Sequence, residues 1–325
     1  MFAIRPFILN HIPSHFLKKN LLLGLDAWHE WNQKRKGYPE LHRFFLAHQK
    51  YPLNLENPQT INQWIQFKKV HDRNPVLTQT SDKVLARAYV KEILGEKEGE
   101  EILIPVYQIT DDARKIDFDS IPSEFFLKAN HSSGGNLLVT PGMDRKEVIK
   151  QANLWLANSY GQHYHEWAYR NIPRKLICEK VLRDEKGQIP LDYKFYCIHG
   201  KVKMILFVKD RLGDQKRLFT DRDLRIIKGG YMLRYKEIPH LDEIPALPRM
   251  ISIAEQLSAS FRDLRVDLYA LGEKVYFGEL THYDGSGLVP FDDIRLDYAF
   301  GDLLKKENAD KTIWEALLER FPDYS

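Results

Sequence analysis

In the first 70 residues of the chain, apolar residues recur at helical spacing, many of them aromatic, and no strand pattern occurs. The spacing predicts another helix over 81–94, with Ser81 as its N-cap. Further helices are predicted over 144–159, 249–261 and 308–320. Asp144 and Glu147 match a capping box at the first of these.

Short apolar runs bounded by turn residues predict strands in the rest of the chain. These strands are predicted over 124–129, 176–182, 193–199, 202–208, 265–270 and 275–280. A helical first part followed by mixed helices and antiparallel hairpins predicts an α+β fold.

The last two predicted strands form a hairpin about the turn 271–274. Strict alternation predicts one shared face made of Arg265, Asp267, Tyr269, Phe277, Glu279 and Thr281. Folding about the Gly272-Glu273 turn brings Asp267 close to opposite Glu279, at roughly 5 Å between Cβ atoms. Two carboxylates that close repel unless a cation lies between them, either Arg265 or a hard divalent ion. The alternative is a solvated strand face, which the apolar neighbours disfavour because unpaired acids are costly in a buried hairpin.

A second candidate site follows the predicted strand 124–129, which ends near Lys128. A small polar loop comes next, made of His131, Ser132, Ser133, Gly134, Gly135 and Asn136. Adjacent glycines let backbone N–H groups approach phosphate oxygens, and Lys128 adds a positive charge. The loop lacks the Gly-Lys-Ser/Thr of a P-loop, and its other interpretation is a simple turn.

Two further strands carry charges within apolar runs. Glu179 and Lys180 interrupt one, and Asp192, Lys194 and Tyr196 share a face of the other. Taken one at a time, each is typical of a half-solvated strand.

Composition excludes several classes of protein. The chain has 325 residues, 43% hydrophobic and 29% charged, and a net charge of +3, which does not indicate a nucleic-acid partner. Its two cysteines, Cys178 and Cys197, provide neither a disulfide framework nor zinc spacing. The N-terminus lacks the apolar core of a signal peptide and no run is long enough to span a membrane, so we expect a cytoplasmic protein. Residues 16–25 permit a peripheral membrane contact, although packing against the rest of the protein is favoured.

Two other clusters have open interpretations. His163 and His165 provide metal-ligand chemistry, but the neighbouring aromatic residues favour a packed loop. Basic residues at 216, 217, 222 and 225 are either solvated or face an anionic donor or polymer.

Taken in order, these pieces resemble the nucleotide and metal motifs of the ATP-grasp superfamily. The motifs are Ser81-Asp82-Lys83, Lys128 before the glycine loop, Glu179-Lys180-Val181-Leu182, Asp192-Tyr193-Lys194-Phe195, Arg265-Val266-Asp267 and Gly278-Glu279-Leu280-Thr281. More closely, the chain resembles the TupA-like ATP-grasp family of bacterial teichuronopeptide and surface-polysaccharide gene clusters. Additional shared motifs are Asn57-Pro58-Gln59-Thr60-Ile61-Asn62, Asp72-Arg73-Asn74-Pro75 and Glu166-Trp167-Ala168-Tyr169. The resemblance runs from about 53 to 304 and leaves the first 50 residues outside it.

The resemblance implies an ATP-grasp fold in which two α+β subdomains, 79–175 and 176–325, clasp ATP after a helical region 1–78. The nucleotide-binding residues that it implies are Lys83, Lys128, the 131–136 loop as a lid, Glu179, Lys180, Leu182 and Asp192. The metal ligands that it implies for Mg²⁺ are Asp267, Glu279 and Thr281, with Arg265 and Lys194 as catalytic residues. Thr281 departs from the Asn of many ATP-grasp enzymes.

The loop after the hairpin faces the acceptor in this scheme, which gives a substrate set of His282, Asp284, Ser286 and Gly287. His282 and Asp284 depart from the Phe and Pro of related sequences, so the resemblance implies no particular substrate. The sequence also leaves the oligomeric state open.

The leading functional hypothesis is an ATP-dependent carboxylate–amine ligase that forms an amide through an acylphosphate. This chemistry needs no protein nucleophile, and the sequence shows no persuasive Cys/His or Ser/His/Asp constellation. The family suggests a uronic acid or amino acid, free or glycan-linked, as the carboxylate. The alternatives are a kinase-type phosphotransferase, a non-catalytic nucleotide-binding protein of the polysaccharide machinery and, last, a polysaccharide-binding module.

Overall fold

A computed structural model describes residues 15–158, 160–209, 216–230 and 244–324 of the chain. The chain divides into two compact units, Met1–Leu53 and Asn54–Ser325. The described part of the first unit contains two helices, α1 (His15–Arg35) and α2 (Pro39–Gln49). Both lie in the region predicted to be helical.

The second unit begins with helices and then alternates between sheets and helices. Its α-helices are α3 (Ile61–His71), α4 (Val76–Ser81), α5 (Leu85–Leu94), α6 (Glu96–Ile102), α7 (Arg145–Ala157), α8 (Trp167–Arg170), α9 (Leu247–Ser258), α10 (Ile294–Leu303) and α11 (Ile313–Arg320). Short 3-10 turns occur at Ala113–Lys115, Asp284–Gly287 and Lys306–Asn308.

The first sheet has four antiparallel strands in the order β1-β4-β2-β3. Its strands are β1 (Val106–Thr110), β2 (Phe125–Ala129), β3 (Asn136–Val139) and β4 (Leu176–Glu179). Phe125 and Leu127 alternate inward and pack with Val148 and Ala152 of α7. This packing leaves the other face of β2, which carries Lys128, directed away from the helix.

The second sheet has five antiparallel strands in the order β7-β6-β5-β8-β9. Its strands are β5 (Asp192–Ile198), β6 (Lys201–Lys209), β7 (Lys216–Thr220), β8 (Asp263–Leu271) and β9 (Lys274–Thr281). One face packs against α9 in the main core and the other against α10 and α11. The architecture confirms the predicted α+β class.

A β-bulge separates the pairs Asp267–Glu279 and Leu268–Phe277 in the last hairpin. Gly278 is the extra residue, and a Cβ there would lie 2.9 Å from the Asp267 carbonyl oxygen. The bulge shifts the alternation of β9 by one residue. Phe277 therefore packs in the core with Leu268, and the prediction that it shares a face with Glu279 is wrong.

The helix predicted over 81–94 is broken in two. Ser81 ends α4 rather than capping a helix, and α5 begins only at Leu85. The break has a tertiary cause, because the Asn130 side chain donates to Asp82 Oδ1 (2.9 Å) and its carbonyl accepts from Lys83 N (3.1 Å). These contacts hold Lys83 beside the loop that follows β2.

Helix ends differ from the prediction elsewhere. Asp144 caps α7 by accepting from Lys146 N (2.9 Å), but the reciprocal half of the predicted capping box with Glu147 is not formed. A complete capping box occurs instead at Thr312 and Glu315, where α11 begins.

Candidate active site

Arg265 lies at the centre of an ion-pair network at the open end of the last hairpin, away from its turn. Its guanidinium donates to Asp267 through Nε (2.7 Å) and Nη2 (2.9 Å), and Nη2 also reaches Glu279 Oε1 (3.2 Å). Nη1 forms a further ion pair with Asp284. The register places Asp267 opposite Glu279, as predicted, and Arg265 lies between the two carboxylates.

A second cation supports Asp267 from the neighbouring strand. Lys194 pairs with Asp267 in the β5–β8 register, and its ammonium forms ion pairs with Asp267 and with Asp192 Oδ2 (2.9 Å). The side chains of Asp192 and Asp267 are only 2% and 3% exposed. Asp192 therefore lies behind Asp267, where it holds the lysine in place.

Burial and charge oppose each other in this network. Burial disfavours the charge of Arg265, but Asp267 and Asp284 outweigh it and hold the pKa of the guanidinium well above its ordinary value. Burial raises the pKa of Asp267, while Arg265 and Lys194 act in the opposite direction. A buried carboxylate between two cations is costly to leave without either of them.

The network opens into a cleft through Glu279, which is 26% exposed. Lys83 Nζ lies 3.5 Å from Glu279 Oε2 and donates to the Ser132 carbonyl (2.7 Å). Thr281 Oγ1 accepts from Arg265 Nη2 (3.1 Å). Lys83 thus joins the loop after β2 to the hairpin, the two segments predicted to bind nucleotide and metal.

The donors of the proposed metal site fit magnesium chemically. Asp267, Glu279 and Thr281 offer oxygen atoms only, and one guanidinium nitrogen already reaches all three side chains. Within the described part of the chain no group of three or more His, Cys, Asp or Glu is arranged as a metal site. Ligands from nucleotide phosphates and water would have to complete the coordination, which is common for Mg²⁺.

A second open cleft, about 560 Å³, lies where the two sheets meet. Its walls include the apolar cluster Ile104, Leu182 and Tyr269. Its polar lining comes from Lys128, Asn136 and Lys180. Phe126 pairs with Glu179, so Lys128 lies diagonally from Glu179 on the same face and forms an ion pair with it. Apolar walls with a few polar groups are typical of a small-molecule site.

The loop between β2 and β3 is anchored at its base and exposed at its tip. Ala129 N donates to Gly135 O (2.7 Å), and Asn130 Oδ1 accepts from Lys175 N (2.7 Å). Ser133 and Gly134 at the tip are exposed, and Gly134 has a positive φ of 77°. This arrangement is compatible with a lid that moves about a fixed base.

Among the predicted site residues that line neither cleft, His131, His282 and Gly287 are buried beside structural partners. His131 is 2% exposed, with Nδ1 3.2 Å from Asn130 Oδ1, and burial lowers its pKa to about 4. His282 is 1% exposed, and its Nε2 lies 2.7 Å from Thr80 Oγ1. Gly287 is buried against α3, where a Cβ would lie 2.4 Å from the Gln66 side chain. These positions favour structural roles, and a ligand role for any of the three stays a prediction.

The structure adds residues to the hairpin cleft that the sequence did not assign. The added lining residues are Tyr160, Tyr164, Glu166, Tyr169, Tyr283 and Gly285. The predicted site residues in the same lining are Lys83, Ser133, Arg265, Glu279, Thr281, Asp284 and Ser286. The sequence signal was present in the 166–169 motif, but nothing in it assigned a role. The six added residues come from two separate segments, 160–169 and 283–285, so their proximity depends on the fold.

The remaining candidates have structural partners. His165 is buried and His163 packs against Tyr164, with ring centroids 4.5 Å apart. In the basic patch, Arg222 pairs with Glu255 (2.6 Å) and Arg225 with Asp221 (2.7 Å).

The two-sheet α+β fold and its clefts agree with a sequence comparison. A family model described as TupA-like ATPgrasp matches residues 63–305, which is well over half of the chain. The chain therefore belongs to the TupA-like ATP-grasp family, and so to the ATP-grasp superfamily. No curated protein sequence matches the chain significantly.

Solved structures show distant likeness only. They include N5-carboxyaminoimidazole ribonucleotide synthetase in an ADP complex, at 12% identity and a TM-score of 0.41 over 68% of this chain and 50% of that chain. D-alanine–D-alanine ligase from Bacillus anthracis with ATP is 15% identical, with a TM-score of 0.38 over 74% of this chain and 68% of that chain. L-amino acid ligase from Bacillus licheniformis is 15% identical, with a TM-score of 0.38 over 64% of this chain and 44% of that chain. This chain thus spans half of the first protein and less than half of the third, and scores this low support no argument about function.

No helix in the described ranges has the length and apolar character needed to cross a membrane.

Proposed function

We propose that this protein is an ATP-dependent carboxylate–amine ligase that forms an amide through an acylphosphate. The observation that carries the proposal is the Arg265 network, which places a guanidinium between two oxygen-donor acids at the mouth of a cleft. Such a group stabilises negative charge that develops during phosphoryl and acyl transfer.

In the proposed arrangement the adenine base lies between the sheets, against Leu182 and beside Lys128, Glu179 and Lys180. The phosphates extend towards Lys83 under the 131–136 loop. Asp267, Glu279 and Thr281 would hold Mg²⁺, which would neutralise charge at the phosphates. Lys194 and Asp192 keep Asp267 in position for this task.

A covalent enzyme intermediate is disfavoured by the environment of the thiols. Cys178 and Cys197 are 0% and 2% exposed, and burial raises the pKa of each to about 12. A buried neutral thiol is a poor nucleophile. An acylphosphate route, in which ATP activates the carboxylate, requires no such nucleophile.

The proposal also includes two ATP-grasp subdomains, 79–175 and 176–325, after a helical region 1–78, and a cytoplasmic location. The proposed substrate is a uronic acid or amino acid of surface-polysaccharide biosynthesis. The substrate proposal is supported by the family alone.

The test is incubation with ATP and Mg²⁺ against panels of uronates, amino acids and amines, with detection of ADP and of the amide mass. ADP release that requires both a carboxylate and an amine, together with an amide product, is the expected result. A stable phosphorylated product made without amine would identify a kinase-type phosphotransferase instead. Nucleotide binding without turnover for any pair would favour a non-catalytic protein.

A further inference from the structure

The hairpin cleft has two chemically different ends. Arg265, Lys83 and Glu279 form one end. The other end contains Glu166 and the rings of Tyr160, Tyr169 and Tyr283. Glu166 lines the cleft although only 3% of its surface is exposed. No role in the proposed phosphate and metal chemistry accounts for a buried acid in an aromatic wall.

The backbone around Glu166 fixes the position of its side chain. Its N–H donates to Gly161 O (2.7 Å) and its carbonyl accepts from Tyr169 N (3.2 Å). Gly161 has a φ of 81°, and a Cβ at that residue would lie 2.4 Å from the Glu166 carbonyl oxygen. Only glycine fits this close approach, so the loop holds Glu166 in one place.

A hydroxyl links Glu166 to a buried lysine. Ser286 Oγ accepts from Lys69 Nζ (2.8 Å), and the same side chain lies near the Glu166 carboxyl group and lowers its pKa. Lys69 Nζ also donates to Ser286 O (2.8 Å) and Gln66 Oε1 (3.0 Å), so all three of its protons have acceptors. Lys69 therefore offsets part of the charge of Glu166, and of the two residues only Glu166 lines the cleft.

The tyrosines complete a surface suited to a cation. The rings of Tyr160 and Tyr169 pack edge to face with their centroids 5.0 Å apart, and the ring centroid of Tyr283 lies 6.2 Å from that of Tyr169. Burial raises the pKa of all three phenols, which keeps them neutral. Aromatic faces attract ammonium groups, and a carboxylate among them adds a charged partner.

We propose that Glu166 binds the ammonium group of the amine substrate and removes one proton from it, which makes the acceptor a protonated primary amine. This inference rests on the proposed ligase function. Glu166 accepts the proton from R–NH₃⁺, and the freed lone pair forms the C–N bond at the acylphosphate carbonyl. The C–O bond to phosphate breaks, its electron pair leaves with phosphate, and the departing phosphate takes the second nitrogen proton. Glu166 returns its proton to solvent after the amide leaves.

The protonation behaviour of the buried pair agrees with this role. Burial raises the pKa of Glu166 against the opposing effect of Lys69, and lowers that of Lys69 to about 8. A carboxyl group with a raised pKa is a better base near neutral pH. The titratable groups around it are Lys69, Tyr160, Tyr169 and Tyr283, and the same cleft also contains Lys83, Tyr164, Arg265, Glu279 and Asp284.

Glu166→Gln separates the two half-reactions. Hydroxylamine, which is unprotonated at neutral pH, traps an acylphosphate as a hydroxamate and needs no base. With ATP, Mg²⁺ and a carboxylate that supports turnover, we expect Glu166→Gln to keep hydroxamate formation. With lysine, ethanolamine, putrescine or glycine as the amine probe, we expect amide formation to fall about 100-fold or more, the usual contribution of a general base. The residual rate should rise with pH as the free-amine fraction grows.

The matched control is Glu147→Gln, which makes the same chemical change at a side chain that is 67% exposed on α7. It should leave both products unchanged. If Glu166→Gln fails to fold, Glu166→Asp keeps the charge beside Lys69, and it should raise the KM for the amine while hydroxamate formation stays at the wild-type rate.

The outcomes separate the two proposals. A wild-type protein that forms neither hydroxamate nor amide overturns the ligase function, and this inference with it. A wild-type protein that forms both, with a Glu166→Gln variant that keeps its amide rate and amine KM, overturns only the role of Glu166. Equal loss of both products in folded Glu166→Gln also overturns it, because the residue would then serve carboxylate activation.

Discussion

Asp267 and Glu279 face each other in the same hairpin, but the structure predicts very different stability effects when their charges are removed. The Asp267 side chain is 3% exposed between Arg265 and Lys194, which are 12% and 13% exposed. Glu279 is 26% exposed, and its closest cation contacts are at 3.2 and 3.5 Å. Asp267→Asn and Glu279→Gln remove one charge each at nearly constant shape, so they form a matched pair.

Removing one partner of a buried ion pair costs about 3–5 kcal/mol, whereas loosely paired, more exposed acids contribute about 0–1 kcal/mol. At roughly 2 °C per kcal/mol for a domain of this size, Asp267→Asn should lower the melting temperature by roughly 6–10 °C and Glu279→Gln by no more than about 2 °C. Thermal unfolding followed by circular dichroism, with EDTA present and no nucleotide, measures both.

Activity should not follow stability. If both carboxylates hold Mg²⁺, each variant should lose most Mg-dependent ADP formation at a temperature where it is folded. Full activity in Glu279→Gln would refute the metal assignment. Equal melting temperatures for the two variants would refute the inference that Asp267 is the buried centre of the network.

Three further predictions address the nucleotide site and the fold. Lys128→Gln keeps a hydrogen-bond donor for Glu179 but removes the charge, so calorimetry should show ATP binding weakened by about tenfold or more, equivalent to about 1.4 kcal/mol. The control is Lys146→Gln at an exposed position, and unchanged ATP affinity in Lys128→Gln would contradict the assignment. Hydrogen exchange at Gly134 should be fast without nucleotide and slower with Mg-ATP, while the Ala129 amide stays protected because it is already bonded to Gly135 O. A Gly134 amide that is protected without ATP would argue against a lid. Burial lowers the pKa of His131 to about 4 from an ordinary 6.5, so the unfolded chain binds its proton first and the free energy of unfolding should fall as pH drops from 6.5 towards 4. Urea unfolding at pH 7 and pH 5 should show a smaller pH difference in His131→Gln than in wild type or in the exposed-site control His163→Gln, and an unchanged difference would contradict the assignment.

The sequence by itself determined the features that depend on local periodicity. Alternation and turn residues predicted the α+β class and the last hairpin, and a turn centred on Gly272-Glu273 set a register that brings Asp267 close to Glu279, although only the bulge at Gly278 puts the two residues directly opposite. That register in turn predicted a cation between the acids, which is the position of Arg265. These inferences succeed because pairing across a tight turn involves residues close in sequence.

Only the tertiary structure decided features that depend on distant partners. The helical pattern over 81–94 is continuous in sequence, but contacts of 82 and 83 with Asn130 break it and direct Lys83 into the site. Gly278 signalled an irregular strand, yet its effect on Phe277 appears only once β9 is paired and its alternation shifts. Glu166 lies near Ser286 and Lys69, which are far from it along the chain, and burial shifts the pKa values of Glu166 and Lys69. Periodicity reports which face a residue occupies, whereas chemistry at a site depends on which other segments pack against that face.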